Sequence, residues 1–373
     1  MESKVSKLNV LKFACAFTAF MIGSGFASGQ EIMQFFTGFG NLGIIGAVIS
    51  MILFAWSGAA LMARGYEIKD TKELDHPFDH WFIFKEKGND VLYSIGKCLS
   101  VFFEYFIPFF LFLVVVIMVS GAGATFNQYF ELPVQTGCLI MALFVLISVL
   151  FGLKRLIDII GILGSLTIVF TVIIGLYALM KNPGGLENNG SAIAEIPKAA
   201  DVWWISGILY VAYNVTGSVP FLTSMGATAN SREEAKWGAI IGSVLLMISG
   251  IMLLIGQLAY ANEVGKLEVP NLFLANLVAP VFGFVFSLIL LSEIYSSAAP
   301  MLWVTCSKLA KEGSVANRII IVTLTVVVYF GGQLPFGMLI GTIYPYMGYI
   351  GAFFLVCILI RQLLNMKVKQ LSK

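Results

Sequence analysis

The chain has 373 residues, 58% of them hydrophobic and 12% charged, with 37 Gly, 31 Phe and a formal net charge of +2. Soluble domains carry roughly 25% charged residues, so this composition excludes one. Apolar runs such as 139–151 and 159–180 also lack the alternating polarity, in segments of about ten residues, of an outer-membrane barrel. What remains is an all-α polytopic membrane protein.

At about 20 apolar residues per crossing, more when a helix tilts, the sequence predicts ten transmembrane helices. They fall at 9–36, 42–63, 91–120, 133–152, 157–180, 202–225, 237–260, 271–300, 316–331 and 335–361. The first follows Lys4, Lys7 and Lys12, a pattern shared with signal peptides. Cleavage there would discard the segment richest in chemistry and leave a repeat unmatched, so it is read as a span. Its centre runs Met21-Ile22-Gly23-Ser24-Gly25-Phe26-Ala27-Ser28-Gly29-Gln30-Glu31. Lipid offers no hydrogen-bond partner, so backbone unwound by such glycines is tolerated at membrane depth only where it is buried in protein or lines a cavity. The competing reading is close helix packing through small residues.

The loop 66–90 holds both histidines, in His76-Pro77-Phe78-Asp79-His80, a spacing open to metal binding and equally to a surface helix. Carboxylates within spans are costly and therefore functional candidates by default. Glu104 in the third span and Glu293 in the eighth are the deepest; each could bind a substrate amino group, carry a proton or make a structural hydrogen bond. Glu31 is expected to line an external vestibule. The cysteines at 15, 98, 138, 306 and 357 stand singly, without the spacing of a redox or metal pair, and read as small buried hydrophobes.

A polar connector at 182–200 separates 1–181 from 201–373, five spans each. In the sixth span Tyr210, Tyr213 and Asn214 share a helical face just before a second interruption, Thr216-Gly217-Ser218-Val219-Pro220. Helices 1 and 6 are therefore both expected to be broken at mid-membrane. The tyrosines could instead belong to an interfacial belt, a role that Trp203 and Trp204 fit better. The eighth span carries Ser292-Glu293-Ile294-Tyr295-Ser296-Ser297. The ninth is short, and Pro345 is expected to bend or interrupt the tenth.

Lys and Arg accumulate in cytoplasmic loops. With both termini cytoplasmic, all of the 23 Lys and Arg except Lys181, Lys198 and Lys266 fall on that side. One span more or fewer would reverse every later loop. Five is odd, so the second set of spans must be inverted relative to the first. Gly23-Ser24-Gly25-Phe26 is echoed by Gly217-Ser218-Val219-Pro220-Phe221, and Gly43-Ile44-Ile45-Gly46 by Gly238-Ala239-Ile240-Ile241-Gly242, at offsets of 194–196 residues.

On these residues the whole chain resembles the LeuT-type five-plus-five inverted-repeat transporters of the amino acid, polyamine and organocation superfamily. Met21-Ile22-Gly23-Ser24-Gly25-Phe26 is similar to the glycine signature in the first helix of amino acid permeases. The longer string, continuing to Glu31, resembles the YkvI-type bacterial membrane proteins. The resemblance implies a substrate site at the breaks, with an amino acid carboxylate on the free N–H groups of Ser24, Gly25 and Phe26, next to Gly23. It implies a side-chain half of that site from Tyr210, Tyr213, Asn214, Thr216 and Gly217. It further implies one sodium ion held by Ser296, Ser297 and carbonyls near Phe20 and Ile22; the serines could instead bond back to the preceding turn. Phe26 stands where the symporters place an asparagine for a second sodium, and Lys154 and Arg155 lie at the end of the fifth span rather than at its middle. Coupling stays open between sodium and protons, with Glu293, Glu104 and Glu31 as the coupling or gating candidates.

The leading expectation is a secondary active transporter of an amino acid or similar small zwitterion, by alternating access, in the bacterial plasma membrane. The alternative is a nutrient-sensing receptor of the same fold. No nucleotide-binding motif is present, and no span has the His-Glu-x-x-His set or adjoining serine and histidine of an enzyme. The expected partners are a small-molecule substrate and the lipid bilayer, without nucleic acid, and no cofactor beyond sodium is expected. The lack of an acidic residue in 20–26 argues against amines that have no carboxylate.

Overall fold

The computed structural model describes residues 5–84, 90–151, 157–187 and 189–371, and every regular element among them is helical. Lys4, Lys85, Lys87, Lys154, Arg155 and Lys373, part of the charge argument, lie outside the described residues. The first span is three helices, α1 (Lys7–Met21), α2 (Ser24–Ser28) and α3 (Gln30–Phe35). Extended backbone at Ile22 and Gly23 makes one break, and Gly29, with φ of +92°, makes a second. That left-handed conformation costs glycine little because it has no Cβ.

Opened backbone needs new partners in a dry environment, and amide side chains provide them. Gln257 Nε2 donates to the Gly29 carbonyl at 2.9 Å, and Asn271 Nδ2 donates to the Ala27 carbonyl at 2.9 Å.

The chain continues through α4 (Asn41–Glu67), α5 (Asp79–Phe82), α6 (Asp90–Phe130), α7 (Val134–Phe151), α8 (Ile157–Lys181), α9 (Gly190–Glu195), α10 (Trp203–Ala227), α11 (Arg232–Ala259), α12 (Ala261–Val264), α13 (Pro270–Val278), α14 (Pro280–Leu309), α15 (Val315–Gly331) and α16 (Phe336–Leu371). Seven of these helices, α4, α6, α7, α10, α11, α14 and α16, are long and apolar enough to cross a membrane, while Leu166–Lys181 within α8 and α15 are shorter apolar helices. Outward-facing residues such as Phe151 and Met180, 85% and 80% exposed, suit a surface solvated by lipid.

Four expectations need correction. The sixth span is not broken, since α10 runs unbroken through Thr216-Gly217-Ser218 and Pro220. Proline withdraws the donor that would serve the Thr216 carbonyl, and within the same continuous helix the Ser218 hydroxyl donates to the Val215 carbonyl at 2.9 Å and Asn214 Nδ2 to the Tyr210 carbonyl at 2.9 Å. Gly217 serves packing, because a Cβ on it would come within 2.9 Å of the Phe110 ring. The eighth span begins at Pro280, after extended backbone at Ala279 that sets the short α13 apart; proline at a first helical position suits such a start. Finally, α16 continues through Pro345 to Leu371, and α6 extends ten residues past the expected 120.

Helices approach closely where side chains are small. A Cβ on Gly65 would overlap the Thr223 carbonyl and one on Gly226 the Met62 carbonyl, so α4 and α10 touch backbone to backbone. Farther along the same pair, the Ser50 hydroxyl donates to the Gly207 carbonyl at 2.9 Å. Helix α1 is fastened to α11 at two levels: the Thr18 hydroxyl donates to the Gly242 carbonyl at 3.0 Å, and Glu234 Oε1 accepts from the Ser6 amide at 2.8 Å.

Candidate functional site

A cavity of about 70 Å³ lies where α1 ends. The first span contributes Phe20, Ile22, Gly23 and Glu31 to its wall, α6 contributes Phe110 and Met118, α10 contributes Tyr213, Asn214 and Gly217, α14 contributes Ser297 and Met301, and α16 contributes Tyr344. Aromatic contacts flank it on both sides. Toward the start of α1, Phe20 stacks on Phe221 with ring centroids 3.8 Å apart. Toward α3, Tyr213 stacks on Tyr344 at 4.4 Å, backed by Tyr210 against Phe35, Phe36 and Phe54.

The structure brings together Phe20, Ile22, Gly23, Tyr213, Asn214, Gly217, Ser297 and Glu31 from the expected set. Others stand back. Tyr210 is fully buried behind Tyr213, and Thr216 faces α16, where a Cβ on Gly351 would come within 2.7 Å of its hydroxyl. The Phe26 ring packs toward Gly250 of α11. Ser24 is buried with its hydroxyl unpartnered. Asn214 lines the cavity, although its amide is engaged with the Tyr210 carbonyl. Tyr344, Phe110, Met118, Gln257 and Asn271 were not marked by the sequence, since aromatic, methionine and amide residues in apolar spans carry no motif.

Glu31 is the main correction at the site. It lines the central cavity at 3% exposure rather than an external vestibule. After the left-handed turn at Gly29 the Glu31 carboxyl lies over Gly25, where a Cβ would overlap it. No side chain caps α2. The Phe26 amide and the hydroxyls of Tyr210 and Tyr213 face the carboxyl, but without hydrogen bonds of ordinary geometry, so Glu31 Oε2 and both hydroxyls have no partner. The acidic residue absent from 20–26 thus arrives from the next turn of chain.

The remaining candidates separate into two places. Thr167 of α8 donates to Glu293 Oε2 at 2.8 Å, so this carboxylate faces α8 rather than the cavity. Gly164, one turn earlier in α8, packs against Ala19 of α1, which keeps Glu293 near the end of α1. The Ser296 hydroxyl bonds back to the Glu293 carbonyl at 3.1 Å, leaving Ser297 as the serine beside Phe20 and Ile22. Glu104 is not among the residues of the cavity wall and pairs with His76 at 2.8 Å, at a histidine that is 53% exposed. This is the structural alternative for Glu104, reached through a connecting loop rather than a neighbouring helix. The histidines diverge, because His80 sets its ring edge against Trp81 at 4.8 Å. Among the described residues no group of three metal-ligating side chains assembles.

No family model matches the chain. It is 27% identical over 361 residues to the membrane protein YkvI of Bacillus subtilis (strain 168), covering 96% of this chain and 97% of that one. It is 25% identical to YyaD of the same organism, covering 92% and 94%. Among solved structures, MhsT in complex with L-phenylalanine superposes with a TM-score of 0.60 at 16% identity, covering 97% and 89%. The chain has a LeuT-type fold and is similar over nearly its whole length to the YkvI membrane protein. A manganese transporter of Eremococcus coleocola also superposes, with a TM-score of 0.52 at 14% identity and coverage of 96% and 78%. At such identities the structural likeness establishes fold alone.

Proposed function

We propose that the protein is a secondary active transporter that carries a small solute bearing an amino group through the cavity at the double break, by alternating access. The observation that carries this reading is the cavity itself: it is flanked by aromatic contacts and lined by backbone that the membrane would not tolerate elsewhere. Neighbours of the same fold were solved with L-phenylalanine or are described as manganese transporters, which agrees with a solute site at this place.

Ten crossings, five in 1–181 and an inverted five in 201–373 joined by 182–200, form the framework of the proposal. Reciprocal packing supports it: α4 on α10 is matched by α11 on α1, and α1 on α8 by α10 on α16. The termini are placed in the cytoplasm of a bacterial cell, the membrane being its plasma membrane. A cation gradient drives the cycle at the junction of α1, α8 and α14, with Ser297 and the Phe20 and Ile22 carbonyls as sodium ligands or Glu293 as a proton carrier.

Uptake by the purified protein in liposomes tests the proposal. Labelled amino acids and amines should accumulate only when an inward sodium or proton gradient is imposed. Saturable binding with no uptake under either gradient would make the protein a receptor instead.

A further inference from the structure

The cavity wall contains one carboxylate, Glu31, and among the described lining residues no Lys, Arg or His. This carboxylate is 3% exposed and aimed into the cavity, with Oε2 unpartnered. It occupies the place where the sequence put a substrate carboxylate, over Gly25 and facing the Phe26 amide. Helix α2 has only five residues, too few for its dipole to hold a second anion beside the first. An incoming carboxylate would therefore be set against another carboxyl in a low-dielectric site, with no cation among the described lining residues to compensate it.

A ligand ammonium meets the opposite situation. It brings up to three donors, and the polar side chains of the wall are Glu31, Tyr213, Asn214, Ser297 and Tyr344. The rest of the wall, Phe20, Phe110, Met118 and Met301, suits an apolar body, and aromatic faces attract cations. We infer that the cavity binds a small organic amine, recognised through its ammonium group by Glu31, and that this ligand carries no carboxylate of its own. The inference rests on the cavity being the transport site.

The test uses the full-length protein in lipid nanodiscs and three matched pairs: ethylamine with alanine, isobutylamine with valine, and phenethylamine with phenylalanine. At least one amine should bind more tightly than its amino acid. Glu31→Gln should weaken that amine about tenfold to a hundredfold, the loss of a charge-assisted hydrogen bond, whereas Glu31→Asp should retain most of the affinity. The unliganded melting temperatures of both variants show that they are folded.

Binding of amino acids but not amines, binding of neither class, or amine affinity unchanged in Glu31→Gln would overturn the inference. Uptake of the same probes keeps the two claims apart. Accumulation of amino acids alone removes the amine assignment and leaves transport standing, whereas amine binding without accumulation supports the assignment and removes transport.

Discussion

Gly25 lacks a side chain because the Glu31 carboxyl lies where one would begin. Gly25→Val should therefore displace Glu31 and abolish ligand binding while the protein still inserts and folds, as measured by ligand affinity beside expression and melting temperature. Retained affinity would show that Glu31 does not set the site. Coupling is read from two other residues. If sodium drives transport, Ser297→Ala should strongly weaken sodium dependence of uptake; if protons do, Glu293→Gln should remove the pH dependence and leave Ser297→Ala nearly silent. Because Glu293 faces Thr167 and Ser297 faces the cavity, the two substitutions perturb separate surroundings. Outside the spans, burial, with the charges of Arg64 and Arg361, lowers the pKa of His80 to about 3. Its unfolded value is near 6.5, so the unfolded state binds more protons between these limits and stability falls as pH drops below about 6.5. His80→Gln should flatten the decline in melting temperature between about pH 7 and pH 5, the window set by that depressed value. The position of Glu31 was not legible in the sequence. In a straight helix eight residues past Gly23 means a displacement of about 12 Å, toward a vestibule, and the left-handed conformation at Gly29 interrupts that straight course.

The double break of the first span is held by side chains from elsewhere in the chain, Gln257 of α11 and Asn271 of α13. Asn271→Ala would leave the Ala27 carbonyl buried without its donor, a loss of about 1–3 kcal/mol, read as a lower melting temperature in detergent. An unchanged melt would mean that the break is supported by other contacts. The concentration of three glycines and two serines in 23–29 made this break legible at membrane depth. The same signal misled at α10, where Gly217 answers to the Phe110 ring and Pro220 is absorbed within a continuous helix. Glycine alone does not distinguish unwinding from close approach; that depends on which ring or backbone lies opposite, and this is set by tertiary packing. The α13–α14 junction was hidden for a related reason, because 271–300 is apolar on both sides of Pro280.

At the scale of the molecule, the apolar runs made the fold class readable, and most helix ends fall within a few residues of the expected boundaries because lipid imposes both length and composition. Sidedness rests on charge placement. In a cysteine-free background, cysteines at Glu187 and Lys311, both exposed, should react with an impermeant thiol reagent from outside and inside the cell respectively. The opposite pattern would reverse the topology, and labelling of both from one side would break the inverted repeat. The claim that this cavity is a transport site is tested most directly by Leu111→Cys, a substitution in its wall, in the cysteine-free protein reconstituted in liposomes. Alternating access predicts that impermeant reagents reach this cysteine from either side of the membrane, with the two rates shifting in opposite directions when a cation gradient is imposed and both falling when ligand is bound. Reactivity from one side alone under every gradient, or rates indifferent to ligand, would contradict it.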